Sequence, residues 1–194
     1  MRVSDELELW LQGQGDKTLG GLIDVFGKRA FAIVFVVLMG VPALPAPTGG
    51  ATHVFEVIAV LLALELIAGR DRIWLPRRWR ARRINTEGRF ITTLLKAIRR
   101  LEGISRPRLR FLFGHRLSNA VFGLLVAGGC TAAFLAPPFT GLDTLPALGV
   151  VLISLGVLLE DFLLVALGLV VGVAGVFLEI AIGGAVLRGL KSLF

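Results

Sequence analysis

The sequence contains one pattern twice: a short basic motif, an apolar run, a group of prolines, a threonine–glycine pair and a second apolar run. The first copy begins at residues 26–29 (FGKR), and the second, about ninety residues later, begins at residues 113–116 (FGHR). Duplicated, proline-broken apolar segments are typical of membrane proteins that build a site at membrane depth from two related halves. We therefore predict a single membrane domain over residues 1–194 with two pseudo-symmetric repeats, approximately 3–86 and 87–190.

The apolar runs have unequal lengths. Residues 30–44 and 144–159 are shorter than the ~20 residues that a spanning helix needs, and residues 51–69 and 117–136 lie near that limit. Residues 162–187 are long enough. We predict an all-α integral membrane protein in which each repeat has a proline-broken transmembrane or re-entrant hairpin, followed by a long C-terminal transmembrane helix. Whether the short segments re-enter or span the bilayer stays open.

Composition and charge predict a membrane protein and indicate which side its basic stretch faces. Hydrophobic residues make up 55% of the chain and the mean hydropathy is +0.81, well above the range of soluble domains. Residues 70–116 hold fifteen of the 21 Lys and Arg but only three of the 14 acidic residues. Apolar spans flank this stretch, so the bias of positive charge towards the cytoplasm predicts that it faces the cytoplasm in a multi-pass membrane protein. We expect it to contact anionic lipid and not nucleic acid.

An amphipathic segment precedes each hairpin. Val3, Leu7, Trp10 and Leu11 follow helical spacing, as do apolar residues of 91–101. Because both leaders and the basic stretch between them stay at the interface, both hairpins should open to the cytoplasmic side. The first leader is acidic and the second basic, so the two could pair where the halves meet.

Polar residues beside the two breaks form the candidate site, because such residues are costly within apolar spans. They are Thr48, Gly49, His53 and Glu56 in the first repeat, and Thr140, Gly141, Asp143 and Thr144 in the second, with Arg29 and Arg116 near the cytoplasmic mouth. Two other interpretations stay open. Thr48, Thr52, Asp143 and Thr144 could cap the helices that restart there, and the arginines could be anchors at the interface.

A stripe of small residues runs along the last apolar segment. Its members, all on one helical face, are Gly168, Gly172, Gly175, Glu179 and Gly183. Such a face lets another helix approach closely. We predict that it packs against protein, that Glu179 is turned away from lipid, and that the face forms a homodimer.

No enzymatic constellation is present in the sequence. Cys130 is the only cysteine, and His53 and His115 are the only histidines, which is too few for a dedicated transition-metal cage. Nucleophile, metalloprotease and phosphate-loop motifs are absent from the sequence. We expect no enzyme activity, no metal and no cofactor.

The proline-rich runs resemble a known family. Residues 38–47 (LMGVPALPAP), the span up to Gly69–Arg70 with Trp74–Leu75–Pro76, and residues 134–148 (FLAPPFTGLDTLPAL) continuing to residues 158–161 are similar to the exopolysaccharide synthesis protein ExoD family. The resemblance covers about residues 3–190. It implies a bacterial inner-membrane protein linked to exopolysaccharide production and, in some members, to alkali tolerance. It supplies no catalytic residue.

Two functional hypotheses follow. The first is a small transport or translocation protein whose central polar site handles an anionic solute, an ion or a lipid-linked sugar phosphate. The second is a non-transporting scaffold or regulator that organises polysaccharide synthesis proteins through its basic surface. Irregular backbone at membrane depth favours the first, because a scaffold has no need of it.

Overall fold

The structure is a computed structural model that describes residues 3–13, 17–27, 29–44, 52–70, 72–74, 76–81, 83, 95–96, 98–100, 102–103, 116–136 and 141–191. Its helices are α1 (Val3–Gln12), α2 (Leu19–Phe26), α3 (Arg29–Gly40), α4 (His53–Ile67), α5 (Arg77–Arg80), α6 (Arg116–Leu135), α7 (Thr144–Leu158) and α8 (Phe162–Lys191). Over these residues the regular structure is helical apart from one isolated bridge between Thr18 and Arg83. The predicted all-α fold is confirmed for this part of the chain.

Helix lengths follow the apolar runs. At 1.5 Å per residue, α3 is roughly 18 Å long and α4 and α7 are each roughly 22 Å, all shorter than a ~30 Å hydrocarbon core. Two helices are long and apolar enough to cross a membrane, at Leu117–Leu135 and Phe162–Gly183. Most of each is exposed in the chain itself, since only 28% and 11% of the two apolar windows are buried. These exposed apolar helices indicate a membrane protein.

In the two hairpins, α3–α4 and α6–α7, the first helix of each packs against the second helix of the other. α3 lies against α7, and α4 lies against α6. Arg29 at the start of α3 contacts Glu160 just after α7, so both hairpins open to one end of the bundle, here called the Arg29 end. The opposite end, where α3 finishes and α4 and α7 begin, is called the break end.

The leading helices lie at the Arg29 end. Glu8 of α1 forms an ion pair with Arg99. The backbone amide and hydroxyl of Ser4 both donate to the carboxylate of Glu102. The expected pairing of the acidic leader with the basic one is therefore present.

α7 and α8 share the most extensive contact, and glycines make it possible. A Cβ atom on Gly149 would lie 2.6 Å from the Cα atom of Gly172, and one on Gly175 would lie 2.6 Å from Cδ of Pro146. One on Gly168 would lie 2.6 Å from the backbone nitrogen of Ile153. The glycine stripe therefore packs against protein, as predicted, but its partner is α7 of the same chain.

This contact occupies part of the predicted dimer face. Gly168 and Gly175 pack tightly against α7, whereas Gly172 is only half-buried and makes an ordinary contact with Gly149. A Cβ atom on Gly183 would meet no atom of the described chain within 4 Å. A homodimer stays a prediction.

α3 is the central helix, and the outer helices carry the lipid-facing surface. Phe31, Phe35 and Met39 of α3 are all buried. α4, α6 and α8 instead expose large apolar side chains outward, among them Val54, Leu61, Leu117, Leu124, Val170 and Phe177. An apolar surface this extensive fits a bilayer and not water.

α4 and α7 end in the same way. The amide of Arg70 donates to the carbonyl of Glu65, and the amide of Asp161 donates to the carbonyl of Gly156, which is the hydrogen bond of a Schellman cap. The cap needs a left-handed residue, which is Gly69 (φ 78°) in the first hairpin and Glu160 (φ 55°) in the second. The second hairpin thus accepts a strained non-glycine residue at this turn.

Candidate functional site

Glu56 is the charged residue that the fold buries most completely in the described chain. It lies in the first turn of α4 at the break end, and its side chain is 0% exposed. Its Oε2 atom lies 2.9 Å from Nδ1 of His53, one turn earlier on the helix. Its Oε1 atom has no hydrogen-bond partner among the described residues. One oxygen of this carboxylate is therefore hydrogen-bonded and the other is not, among the described residues.

α6 supplies the opposite wall of this site. The ring of Phe134 packs against the ring of His53 with 5.1 Å between centroids. Cys130, one turn earlier on α6, is fully buried and lies close enough to Glu56 to interact with it electrostatically. His53 itself is 29% exposed, so the pair connects the protein interior with its surroundings.

Two further carboxylates lie nearby. Asp143 is near enough to interact electrostatically with both Glu56 and Glu179. Glu179 is brought there by the α7–α8 packing, which sets Gly175 beside Pro146 at the start of α7. Its Oε1 atom is buried and has no partner within the described ranges. Glu179 thus faces protein, as predicted.

The three carboxylates lie near one another but are not arranged as the shared ligands of one metal ion. No group of three or more His, Cys, Asp or Glu side chains with ligand geometry occurs in the part of the chain that the structure describes. Their arrangement is a loose acidic cluster around one buried carboxylate.

Several predicted site residues meet at the break end. His53 and Glu56 form a direct pair, and Asp143 and Thr144 begin α7 close to them. Gly141 precedes α7 in a left-handed conformation (φ 69°), which only glycine adopts freely. Thr48, Gly49 and Thr140 lie outside the described residues, as does the side chain of Arg116, whose backbone begins α6.

Arg29 does not lie with the polar residues of the breaks. It begins α3 at the opposite end of the bundle, where it pairs with Glu160 at 3.3 Å and with Glu6 at 3.7 Å. It therefore anchors α1 and the α7–α8 turn to α3. Glu6 and Glu160 hold its guanidinium in this structure, and a role of Arg29 at the mouth of the site stays a prediction.

The capping interpretation also finds no support at two of its four positions. Thr52 and Asp143 directly precede α4 and α7, yet neither side chain makes a capping hydrogen bond. Asp143 is thus available to the acidic cluster.

Sequence reasoning missed the contribution of α6. Cys130 and Phe134 are four residues apart and share a helical face, a spacing that could have placed them together. Nothing local indicates that this face meets His53 and Glu56, because that depends on how α4 packs against α6.

The fold and this site define the class: an all-helical membrane protein with a buried carboxylate where two short hairpins meet. The sequence profile of the family described as "Exopolysaccharide synthesis, ExoD" matches residues 3–181. The chain belongs to that family. The recognition made from its proline motifs is confirmed.

Two relatives place the chain more closely. It is 33% identical over 155 residues to Protein ExoD of Rhizobium meliloti, a match covering 78% of this chain and 64% of that protein, just under two thirds of its length. It is also 30% identical over 177 residues to an uncharacterized protein of Synechocystis sp., covering 89% of this chain and 82% of the relative. No solved structure matches the chain. Membership links the chain to exopolysaccharide synthesis.

Proposed function

We propose that this chain is a small, non-enzymatic translocation protein of the bacterial inner membrane that serves exopolysaccharide production. Glu56 and His53 form a proton- or cation-binding site where its two hairpins meet. The observation that carries the proposal is Glu56 itself, a fully buried carboxylate with one unpartnered oxygen among the described residues. An ionisable residue within a membrane domain is expensive and is by default a functional candidate.

The surroundings of Glu56 favour a positively charged ligand. Asp143 adds negative charge near it, Glu179 is close to Asp143, and Arg29 is held at the far end of the bundle. Of the three ligands that the sequence left open, an ion fits this field. An anionic solute or a lipid-linked sugar phosphate would be repelled by it.

The hairpin geometry supports a site at membrane depth. The first residues of α7 lie beside Gly175 of α8, and α8 continues from there to Lys191, roughly 24 Å further. If α8 crosses the bilayer, the break end lies well short of the far surface. Re-entrant hairpins of two related repeats would thus bring the polar breaks inside the membrane, as in transporters with broken helices.

The test is ion flux into liposomes that contain the purified protein and a trapped pH indicator. A potassium diffusion potential drives proton entry, and the same assay is repeated with sodium and an indicator for it. Glu56→Gln removes the charge but keeps the shape, and we expect its flux to fall to that of empty liposomes.

The matched control is Glu65→Gln on the same helix. Glu65 lies at the other end of α4 and accepts a hydrogen bond from the amide of Trp74 at 2.8 Å, which glutamine can also accept. Its flux should stay within about twofold of wild type, well under the tenfold change that ~1.4 kcal/mol brings. Equal flux in the two variants and wild type would refute the site.

The scaffold hypothesis makes the opposite prediction. Neutralising Arg77, Arg78, Arg80, Arg82 and Arg83 together would then abolish polysaccharide production in cells, whereas Glu56→Gln would leave it unchanged. We expect Glu56→Gln to reduce production, because translocation and not surface charge is the proposed activity.

A further inference from the structure

A polar cavity lies at the Arg29 end, apart from the Glu56 site. It has a volume of about 520 Å³ and lies between the start of α2 and α5. The residues that line it include Thr18, Gly20, Asp24, Arg77, Arg80 and Arg83. None of them belongs to the site proposed above.

The walls of this cavity are fixed by specific contacts. Arg80 holds both carboxylate oxygens of Asp24, at 2.9 and 2.8 Å. Thr18 forms a β-bridge with Arg83 and caps α2 by accepting from the amide of Gly21 at 3.1 Å. These contacts tie α5 and the segment after it to α2.

Gly20 allows a close approach of α5 to α2. A Cβ atom at this position would lie 3.1 Å from the carbonyl oxygen of Arg80 and 3.3 Å from its side chain. A methyl group here would require Arg80 to shift by a few tenths of an ångström. The Arg80–Asp24 pair and the Thr18–Arg83 bridge hold the two walls of the cleft together.

The charge of the cleft is unbalanced. Three arginines line it against one acid, and Asp24 is already held by Arg80. Arg77 and Arg83 are exposed and have no acidic partner among the residues that the structure describes. The positive end of the α2 dipole also lies at this cavity.

We propose that this cleft binds a phosphate group, with Arg77 and Arg83 as its principal ligands. A guanidinium presents a planar pair of donors that matches two phosphate oxygens, and two such groups suit a doubly charged phosphomonoester. Because the leading helices lie at this end of the bundle, the group could belong to a membrane lipid or to a soluble phosphate compound. The experiment separates these two sources.

The experiment measures lipid retention by the full chain, purified in detergent, using native mass spectrometry. Phosphatidic acid is compared with phosphatidylcholine of the same acyl chains. We expect wild type to retain phosphatidic acid, and Arg77→Ala/Arg83→Ala to weaken its binding about tenfold or more, because two charge-assisted contacts are lost.

Two variants control for charge and folding. Arg72→Ala/Arg78→Ala removes the same charge from exposed residues that do not line the cleft, and should bind within about twofold of wild type, because only long-range attraction changes. Arg77→Lys/Arg83→Lys keeps the charge but loses the paired donors, and should bind with intermediate affinity.

Inorganic phosphate then identifies the source. Displacement of the lipid by phosphate would assign the cleft to the phosphate group alone, as a soluble ligand would present it. Retention at saturating phosphate would assign it to the lipid headgroup. Equal losses in both alanine variants, or no loss in either, would overturn the proposal.

Discussion

Glu56 occupies a position that an apolar side chain would fill at lower cost. Its carboxylate is fully buried and only partly hydrogen-bonded, and the negative charge of Asp143 acts on it. A half-satisfied buried charge destabilises a fold, and its persistence is most simply explained by function. This gives a stability test that is independent of transport.

Replacing Glu56 by leucine should leave the free energy of unfolding within about 1 kcal/mol of wild type, because the desolvation cost of a half-satisfied carboxylate is removed while His53, 29% exposed, can bond to water in place of its lost partner. The same change at Glu65 should lower it by about 1 kcal/mol, because the amide of Trp74 loses its acceptor. Unfolding in detergent by a graded denaturant gives both values. A large loss of stability in Glu56→Leu would assign this carboxylate a structural role.

The conformation of Glu160 could not be predicted from the local sequence. Glu160 stands where the first hairpin has Gly69, and it adopts a left-handed conformation that normally costs about 1 kcal/mol. Its side chain reaches Arg29, 131 residues away in the sequence. Local rules predict glycine at this turn, and only the tertiary pair with Arg29 accounts for a glutamate there.

At the scale of helices, the sequence predicted where elements lie better than what they touch. The apolar runs 51–69 and 144–159 became α4 and α7 with ends within about two residues, because proline breaks and apolar lengths are local signals. The glycine stripe of α8 was also correctly predicted to pack against protein. The sequence did not predict which helix packs against the stripe, because small residues indicate a close approach but do not identify the approaching helix.

The α7–α8 contact predicts unequal effects of two glycine substitutions on α8. In Gly168→Ala the new methyl group would meet backbone atoms of Ile153 and Gly149 at 2.6 and 2.7 Å, so the helices must separate. We expect a loss of about 1–3 kcal/mol in the free energy of unfolding.

Gly183→Ala is the matched control, because it lies on the same stripe but its methyl group would meet no described atom within 4 Å. It should be neutral or stabilise the protein by up to about 1 kcal/mol through its helix propensity. Both are measured by unfolding in detergent. Equal effects of the two substitutions would contradict the intramolecular packing.

For the molecule as a whole, the shared orientation of the hairpins determines the topology. α3 and α6 begin, and α4 and α7 end, towards the end that carries the leading helices and Arg29. The basic stretch predicted to be cytoplasmic connects the hairpins at this same end, where Arg80 contacts Asp24. Of the described helices, only α8 continues past the break end, so α8 is the one that we expect to reach the far side of the membrane.

Accessibility of single cysteines tests this topology and distinguishes re-entrant from spanning hairpins. Leu44→Cys lies just past α3 and is exposed in the chain, Lys191→Cys ends α8, and Arg72→Cys lies at the Arg29 end. Applied to intact spheroplasts, a membrane-impermeant maleimide should modify Lys191→Cys. It should not modify Leu44→Cys, because the break end then lies within the bilayer, about 24 Å short of the end of α8.

Arg72→Cys should react only after the membrane is opened, because the basic stretch is predicted to face the cytoplasm. The wild-type chain provides the background, since its one cysteine, Cys130, is fully buried. Rapid modification of Leu44→Cys from outside would mean that the first hairpin spans the bilayer, and Glu56 would then lie near the outer surface. Protection of Leu44→Cys together with labelling of Lys191→Cys would place Glu56 at membrane depth, where a buried carboxylate can exchange ions only through the protein itself.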